Sequence, residues 1–537
     1  MPSTRFCRAG VLVLLCLLQA SCLHVFRKVE VVEFDPAGTS PVVVQNPLKV
    51  HLNNGETVIF DEGAVLLADS IRSQHAGRVY GISQPGLAIR RVQSVSLTDV
   101  AAVEAFRSKP QVAGSIAVST LATAVTVYGS LLLYKALFGS CPTVYSELDG
   151  REQLEAEAFP SSIAPLFESR DVDRISARPD ETGRLRLSVR NEALETHYIN
   201  HIELVETTVA AGEMVVPDRD GRAVALRDFV EPGRLTDRRG NDVTALLAHA
   251  DSMHYKTAQE TIDEADSTDL WDYVYLSVPA AQLSDDTVFV YLRLNNSLFG
   301  TVYFYDSILK HQGPNAVKWL ADDLEYIGEA LRLANFYATR MGLRIDVLHD
   351  GSFEEVGRVR EVGPIAMDHV AVPIPVWGAD SLRIRLRFIA DAWRIDELRV
   401  AASGSYPETR VIPVSRVSTA ADPIAGWTEM ISDGIATPDE EYGVTGPGQS
   451  FDIEFETGVA NGEGGRSYIL AMQGYYVEWM RGEWLRENPL AQRFIPTEAS
   501  IERTLRRWSE VKDEYEALFF ASRVPTTMSP VETSRQP

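Results

Sequence analysis

Leu185, Leu187 and Val189 alternate with Arg184, Arg186 and Arg190, and this two-residue period predicts a strand with one face in a core and the other in water. The same pattern recurs downstream. Leu382, Ile384, Leu386 and Phe388 alternate with Arg383, Arg385 and Arg387, and Phe451, Ile453 and Phe455 alternate with Asp452, Glu454 and Glu456. Strand-like runs also cover Ile199 to Val205, Met214 to Val216, Ala223 to Leu226, Val288 to Leu294, Thr301 to Tyr305, Leu343 to Leu348, Asp368 to Ile374, Trp393 to Val400 and Ser467 to Met472. Asp218-Arg219-Asp220-Gly221, Asn295-Asn296-Ser297 and the stretch from Asn461 to Gly465 supply turns between them. Nearer the start, Val50 and Leu52 precede Asn54-Gly55, and Val58 and Phe60 follow it, a strong hairpin signal. With Val65 to Ile71, Arg78 to Tyr80 and Ile89 to Leu97, these runs predict five short strands in a small SH3-like β-barrel.

Three segments follow the helical period instead. Val317, Leu320, Leu324, Ile327, Leu331 and Ala334 predict a helix from about Ala316 to Met341, which Gly342 stops. Thr497 can cap a helix from Glu498 to Phe520 whose apolar face is Ile501, Leu505, Trp508, Tyr515 and Leu518. The third segment, Val112 to Tyr134, contains no charged residue and as a helix would span roughly 34 Å, enough to cross a bilayer. Its many Ala, Gly, Ser and Thr residues suit a membrane helix, a helix buried in an assembly, or insertion into one leaflet. The predicted class is therefore mainly β: a small barrel, an apolar helix, then a jelly-roll-like β-sandwich region with inserted and C-terminal helices. In chain order the expected units are a signal peptide at 1–22, a barrel at 30–108, the apolar helix at 111–139 and a sandwich region at 140–312. A helix at 313–342, a second sandwich region at 343–475, helices at 476–524 and a loose tail at 525–537 follow.

Arg5 and Arg8 precede the apolar run Val11 to Leu18, and Gln19-Ala20-Ser21-Cys22 closes it. This ending resembles the lipobox of bacterial lipoproteins, with Gln19 standing where that family usually carries Leu. The resemblance implies acylation of Cys22, cleavage in front of it and attachment to a membrane of the bacterial cell envelope, with the outer membrane as the expected one. Further along, Gly363-Pro364-Ile365-Ala366 with Asp368, and Trp393-Arg394-Ile395-Asp396-Glu397-Leu398, resemble a segment of uncharacterised secreted bacterial proteins. The second stretch is also similar to the last strands of galactose-binding-like jelly rolls, which implies sandwich architecture and carbohydrate binding.

The chain has 537 residues, too many for one core, and 51 basic against 75 acidic residues, a net charge of −24 that repels polyanions and argues against nucleic-acid binding. Its Cys7 and Cys16 lie in the signal, so only Cys22 and Cys141 remain in the mature chain. A lipidated Cys22 leaves Cys141 without a disulfide partner, as a buried thiol.

The portable catalytic motifs HExxH, CxxC, GxSxG and the phosphate loop do not occur, and neither a catalytic residue nor a cofactor is predicted. His197 and His201 are weak candidates for a metal, being four apart and near Glu195. Asp218 to Gly221 offers carboxylates to calcium, although it fits a plain turn better. Glu260, Asp263, Glu264, Asp266, Asp269 and Asp272 cluster near Trp271 and Tyr273 and supply acids for glycoside hydrolysis or, more simply, a solvated loop. Tyr475, Tyr476, Trp479 and Trp484 are candidates for stacking on a sugar or for packing in a core. Together these features point to a membrane-anchored envelope lipoprotein that binds a glycan or another envelope protein without catalysis. A structural subunit packing through Val112 to Tyr134, and a polysaccharide hydrolase, are the alternatives.

Overall fold

The computed structural model describes residues 27–31, 41–44, 48–52, 57–60, 62–67, 69–80, 90–108, 141–148, 150–478, 495–521 and 523, apart from 194, 231–232, 252, 284, 313–315, 317–318, 321–323, 325–326, 378–379, 420–425, 440, 447 and 460–464. Cys22, the segment Val112 to Tyr134, Trp479, Trp484 and the tail 525–537 lie outside the described residues. Among the described residues no helix is long and apolar enough to cross a membrane.

The protein is mainly β and builds five sheets. The first has eight strands, in the order Arg27–Val31, Val100–Ser108, Leu48–Leu52, Thr57–Phe60, Ser70–Tyr80, Ala64–Leu66 and Val42–Val44, with Arg91–Ser96 beside Ser70–Tyr80. Leu48, Val50, Val58, Phe60, Leu66, Ile71 and Val103 fill its interior. Leu48–Leu52 and Thr57–Phe60 pair antiparallel on either side of Asn54-Gly55. The run from Val65 to Ile71 is two strands, because the chain reverses where the Leu67 amide donates to the Ser70 carbonyl at 2.8 Å.

The other four sheets form two face-to-face pairs, one nested inside the other. In the outer pair, Arg151–Glu157, Thr143–Leu148, Arg184–Arg190, Ser450–Glu456 and Arg416–Ser418 make one sheet. Its partner contains Ser169–Ile175, Gly465–Glu478, Glu195–Val209 and Thr409–Pro413, with Gly443–Thr445 also on Glu195–Val209. Leu185, Leu187, Val189, Phe451 and Ile453 face Ile199, Leu204, Leu470 and Met472 across this core. The inner pair is made wholly of residues between Met214 and Ser405. One sheet runs Met214–Pro217, Ala223–Val230, Trp393–Ser405, Thr287–Asn296 and Asp368–Pro375. The other runs Thr236–Asp237, Trp271–Pro279, Ser381–Ile389, Leu343–His349 and Ser352–Val359, and the two meet through residues such as Val290, Leu292, Ile345 and Ile384. The division into sandwich regions at 140–312 and 343–475 therefore does not follow the sheets, since strands before residue 210 pair with strands after residue 408.

Thr301 to Tyr305 is helical and not a strand. Ser297 accepts a hydrogen bond from the Phe299 amide and starts the helix Leu298–Val302, which widens into π-type turns over Tyr303–Leu309. The β-branched and aromatic composition that suggested a strand reflects burial on every side: Phe299, Val302, Tyr303, Phe304 and Tyr305 are all buried. A second helix, Ile327–Phe336, ends through Tyr337–Met341 at Gly342.

The C-terminal helix Glu498–Ala521 lies against the inner sandwich. Ile501, Leu505, Trp508 and Phe519 are buried in the inner core, and Tyr515 packs against it. Ser500 and Tyr303 share a hydrogen bond of 2.8 Å between their hydroxyls. On the outer face of the inner sandwich, the arginine stripe is neutralised by Asp346, which accepts from Arg385 and Arg387 at 2.6–3.1 Å.

Candidate binding site

Where the outer sandwich meets the helices of the inner one, a cavity of about 430 Å³ opens. The first helix contributes Gly300, Thr301, Phe304 and Tyr305, and the second contributes Leu333, Ala334, Tyr337 and Ala338. Arg358, at the end of strand Ser352–Val359, and the loop after it bring Arg360, Glu361, Gly363 and Pro364. From the outer sandwich come Cys141, Pro160, Ser161, Ile163, Phe167 and Tyr476. Aromatic and aliphatic groups thus form the walls, and charge enters on a single segment, as is usual for small-molecule sites.

Glu361 is the only carboxylate in this lining. Protein encloses it closely enough for burial to push its carboxyl up to about 8, while it keeps the partial exposure of a group that faces a cavity. No hydrogen bond or ion pair reaches its side chain from the described residues. Its Oε1 lies so near Gly300 that a Cβ there would stand 3.3 Å away, and the Tyr337 phenol, itself raised by burial, feels its charge. Arg358 is already engaged, donating to Glu355 at 2.5 and 3.0 Å and to the Ala338 carbonyl. Arg360 is exposed and has no described ion pair.

A second carboxyl holds the junction together. Glu157, on a strand of the outer sandwich, accepts from the amides of Ile365 and Ala366 at 2.6 and 3.2 Å, and burial raises it to about 8. Gly363 has φ +86°, and a Cβ on it would fall 2.5 Å from the Glu157 carboxyl carbon, so both the backbone and the close approach require glycine. Asp171, Asp173 and Asp368 lie in electrostatic range, each held up first by burial. Behind the cavity wall, Tyr476 donates to the Pro160 carbonyl at 3.1 Å, and its ring meets His197 edge-on.

The residues singled out from sequence are dispersed. Tyr476 lines the cavity, but its neighbour Tyr475 points to the other side of the strand and stacks on Tyr198 with ring centroids 4.8 Å apart. His197 and His201 share neither a face nor a partner, because a bulge between Ile199 and His201 breaks the alternation. His197 is buried beside Glu195, 3.1 Å from its carboxylate, and burial drops its pKa to about 3. His201 meets the Ile435 carbonyl and Glu203. Among the described residues no group of three or more His, Cys, Asp or Glu is placed to hold a metal. The Asp218 carboxylate is spent on its own turn, accepting from the Asp220 and Arg222 amides and the Arg222 guanidinium. In the acidic cluster, Asp272 is buried under the hydroxyls of Tyr255 and Thr257, Asp269 pairs with Arg238 and Glu264 with Arg239. Sequence reasoning missed Glu361, Tyr337 and Glu157. The one available signal was Gly363-Pro364, whose glycine marks a tight junction.

The sequence matches no family model and no curated protein. Among solved structures, a GH31 alpha-xylosidase from Xanthomonas citri overlaps at a TM-score of 0.15 and 9% identity, covering 81% of this chain and 38% of that one. Overlap at that level carries no statement about fold or activity.

Proposed function

We propose that this chain is a non-catalytic binding protein of the bacterial cell envelope. It is tethered through an acylated Cys22, carries its N-terminal sheet as an SH3-like barrel and its nested sheets as jelly-roll-like sandwiches, and takes a small ligand or a protruding group of a glycan or envelope protein. The observation that carries this is the cavity between the two sandwiches, with aromatic walls and one unpaired carboxyl. Glycoside hydrolysis by the usual route needs two carboxyl groups flanking one bond, and the lining offers only Glu361, which favours binding over turnover.

The test uses the neutral apolar dye N-phenyl-1-naphthylamine, whose fluorescence rises on entering an apolar cavity. Ala334 is exposed at the cavity edge, so Ala334→Trp fills the cavity without disturbing the core. Dye binding is expected to weaken by about tenfold or more, ~1.4 kcal/mol, with an unchanged melting temperature. Equal binding by the variant would remove the cavity as the site. Anchoring is tested separately. Cys22→Ala is expected to abolish incorporation of a labelled fatty acid into the protein, and a variant that is labelled as strongly as the wild type would sink the lipid tether.

A further inference from the structure

We infer that the junctional cavity takes a ligand bearing a primary ammonium group on an apolar or aromatic body, and that the ammonium seats on the Glu361 carboxylate. This rests on the cavity being the binding site and names the chemistry it selects. The charged or titratable groups facing the space are Arg358 and Arg360 on the segment of Glu361 itself, Tyr305 and Tyr337 on the two helices, and Cys141 and Tyr476 from the outer sandwich. Arg358 is already taken up by Glu355 and the Ala338 carbonyl, and Arg360 is exposed at the rim. Glu361 is thus the enclosed ionisable group whose hydrogen-bonding capacity no described residue uses, and an enclosed polar group without a partner is costly until a ligand supplies one. An ammonium answers it best. It forms a charge-assisted bond to the carboxylate, and a lining that includes Phe304, Tyr305 and Tyr337 supplies aromatic rings, a residue type that attracts cations.

A proton accompanies this exchange. Before a ligand binds, burial keeps the Glu361 carboxyl protonated up to about pH 8, so an ammonium that seats on it must displace that proton into solvent. Affinity is therefore expected to fall about tenfold for each pH unit below that value, and binding at neutral pH to release about one proton.

Three probes sharing one body separate the possibilities: 2-phenylethylamine, 3-phenylpropionate and the uncharged 2-phenylethanol, each titrated into the full chain in detergent with displacement of N-phenyl-1-naphthylamine as the readout. The amine is expected to displace the dye, with proton release seen by calorimetry in buffers of different ionisation heat. Glu361→Gln, which keeps the shape of the neutral acid, is expected to weaken the amine by about tenfold or more while dye binding persists. The ammonium assignment is overturned if 3-phenylpropionate or 2-phenylethanol competes as well as the amine, or if Glu361→Gln leaves the amine unchanged. It is overturned equally if the amine fails to displace a dye that does bind. A protein that binds no dye, with or without Ala334→Trp, refutes the cavity itself and the ammonium site with it.

Discussion

Trp508→Ala is expected to destabilise the inner sandwich by about 4 kcal/mol, seen as an earlier urea transition by circular dichroism. The indole is completely buried in the inner core and meets the Tyr515 ring edge-on. Its Nε1 donates to Asp391 Oδ2 at 2.7 Å. Asp391 is itself buried, sits at φ 58°, and also accepts from Arg394 at 2.8 Å. Truncation therefore removes a large apolar volume and one donor to a buried carboxylate in the same step. Trp508→Phe separates the two effects. It restores most of the volume but not the donor, and a residual loss of about 1–2 kcal/mol would measure the hydrogen bond. A melting curve unchanged in both variants would show that the helix Glu498–Ala521 does not brace the sandwich.

Stability is expected to be lower at about pH 8.5 than at about pH 5.5, because the fold buries carboxyls in their protonated form. Glu157 and Glu361 have an ordinary value of 4.5, raised by burial to about 8. Between those values the folded protein holds protons that the unfolded chain has released. Each group therefore removes up to about 1.4 kcal/mol of stability per pH unit as pH rises through that window. His197 and His369 behave oppositely, their ordinary 6.5 lowered by burial to about 3. Below 6.5 the unfolded chain takes up protons that the fold refuses, so stability falls as pH falls. Where the two windows overlap the slopes oppose each other, and Asp171, Asp173 and Asp368, also raised by burial, add to the loss on the alkaline side. The urea midpoint at about pH 5.5 should exceed that at about pH 8.5. Glu157→Gln, whose amide oxygen can still accept from Ile365 and Ala366, should flatten the alkaline limb. A midpoint that rises steadily from acid to alkaline pH would contradict the buried neutral carboxyls.

The alternation of Leu185, Leu187 and Val189, or of Leu382, Ile384, Leu386 and Phe388, is visible in the sequence because each strand has one wet face and one dry face, and the structure buries these apolar sets. Partner choice is not visible. The arginine stripe of Arg184–Arg190 does match the acidic stripe of its partner Ser450–Glu456, with Arg186 on Glu454, but the equally basic stripe of Ser381–Ile389 pairs with Trp271–Pro279, so charge alone does not assign the partners. Thr301 to Tyr305 misleads because complete burial selects the same residue types in a helix as in a strand. The histidine spacing misleads for another reason, since one bulge reverses the faces that a regular strand would give. Glu361 is invisible because its chemistry comes from burial by elements distant in the chain. Tyr476 is legible as an aromatic of interest, but Tyr475 beside it points away from the cavity and packs with Tyr198 and Tyr442.

The nesting also dictates an order of events when the chain is made. Arg186 and its ion-pair partner Glu454 are 268 positions apart, and closing a flexible loop of that length is entropically costly. Yet Thr207 pairs with Thr409 at the two mouths of the insertion, so once the inner sandwich has folded it delivers both ends of the outer one side by side. Thr143–Leu148, Arg151–Glu157 and Arg184–Arg190 can pair with one another at once, but Ser169–Ile175 and Glu195–Val209 take their partners from beyond the insertion and must wait until that happens. The fate of these waiting strands thus hangs on how fast a different unit matures, and a slow inner sandwich would be felt first as aggregation or proteolysis of the outer one.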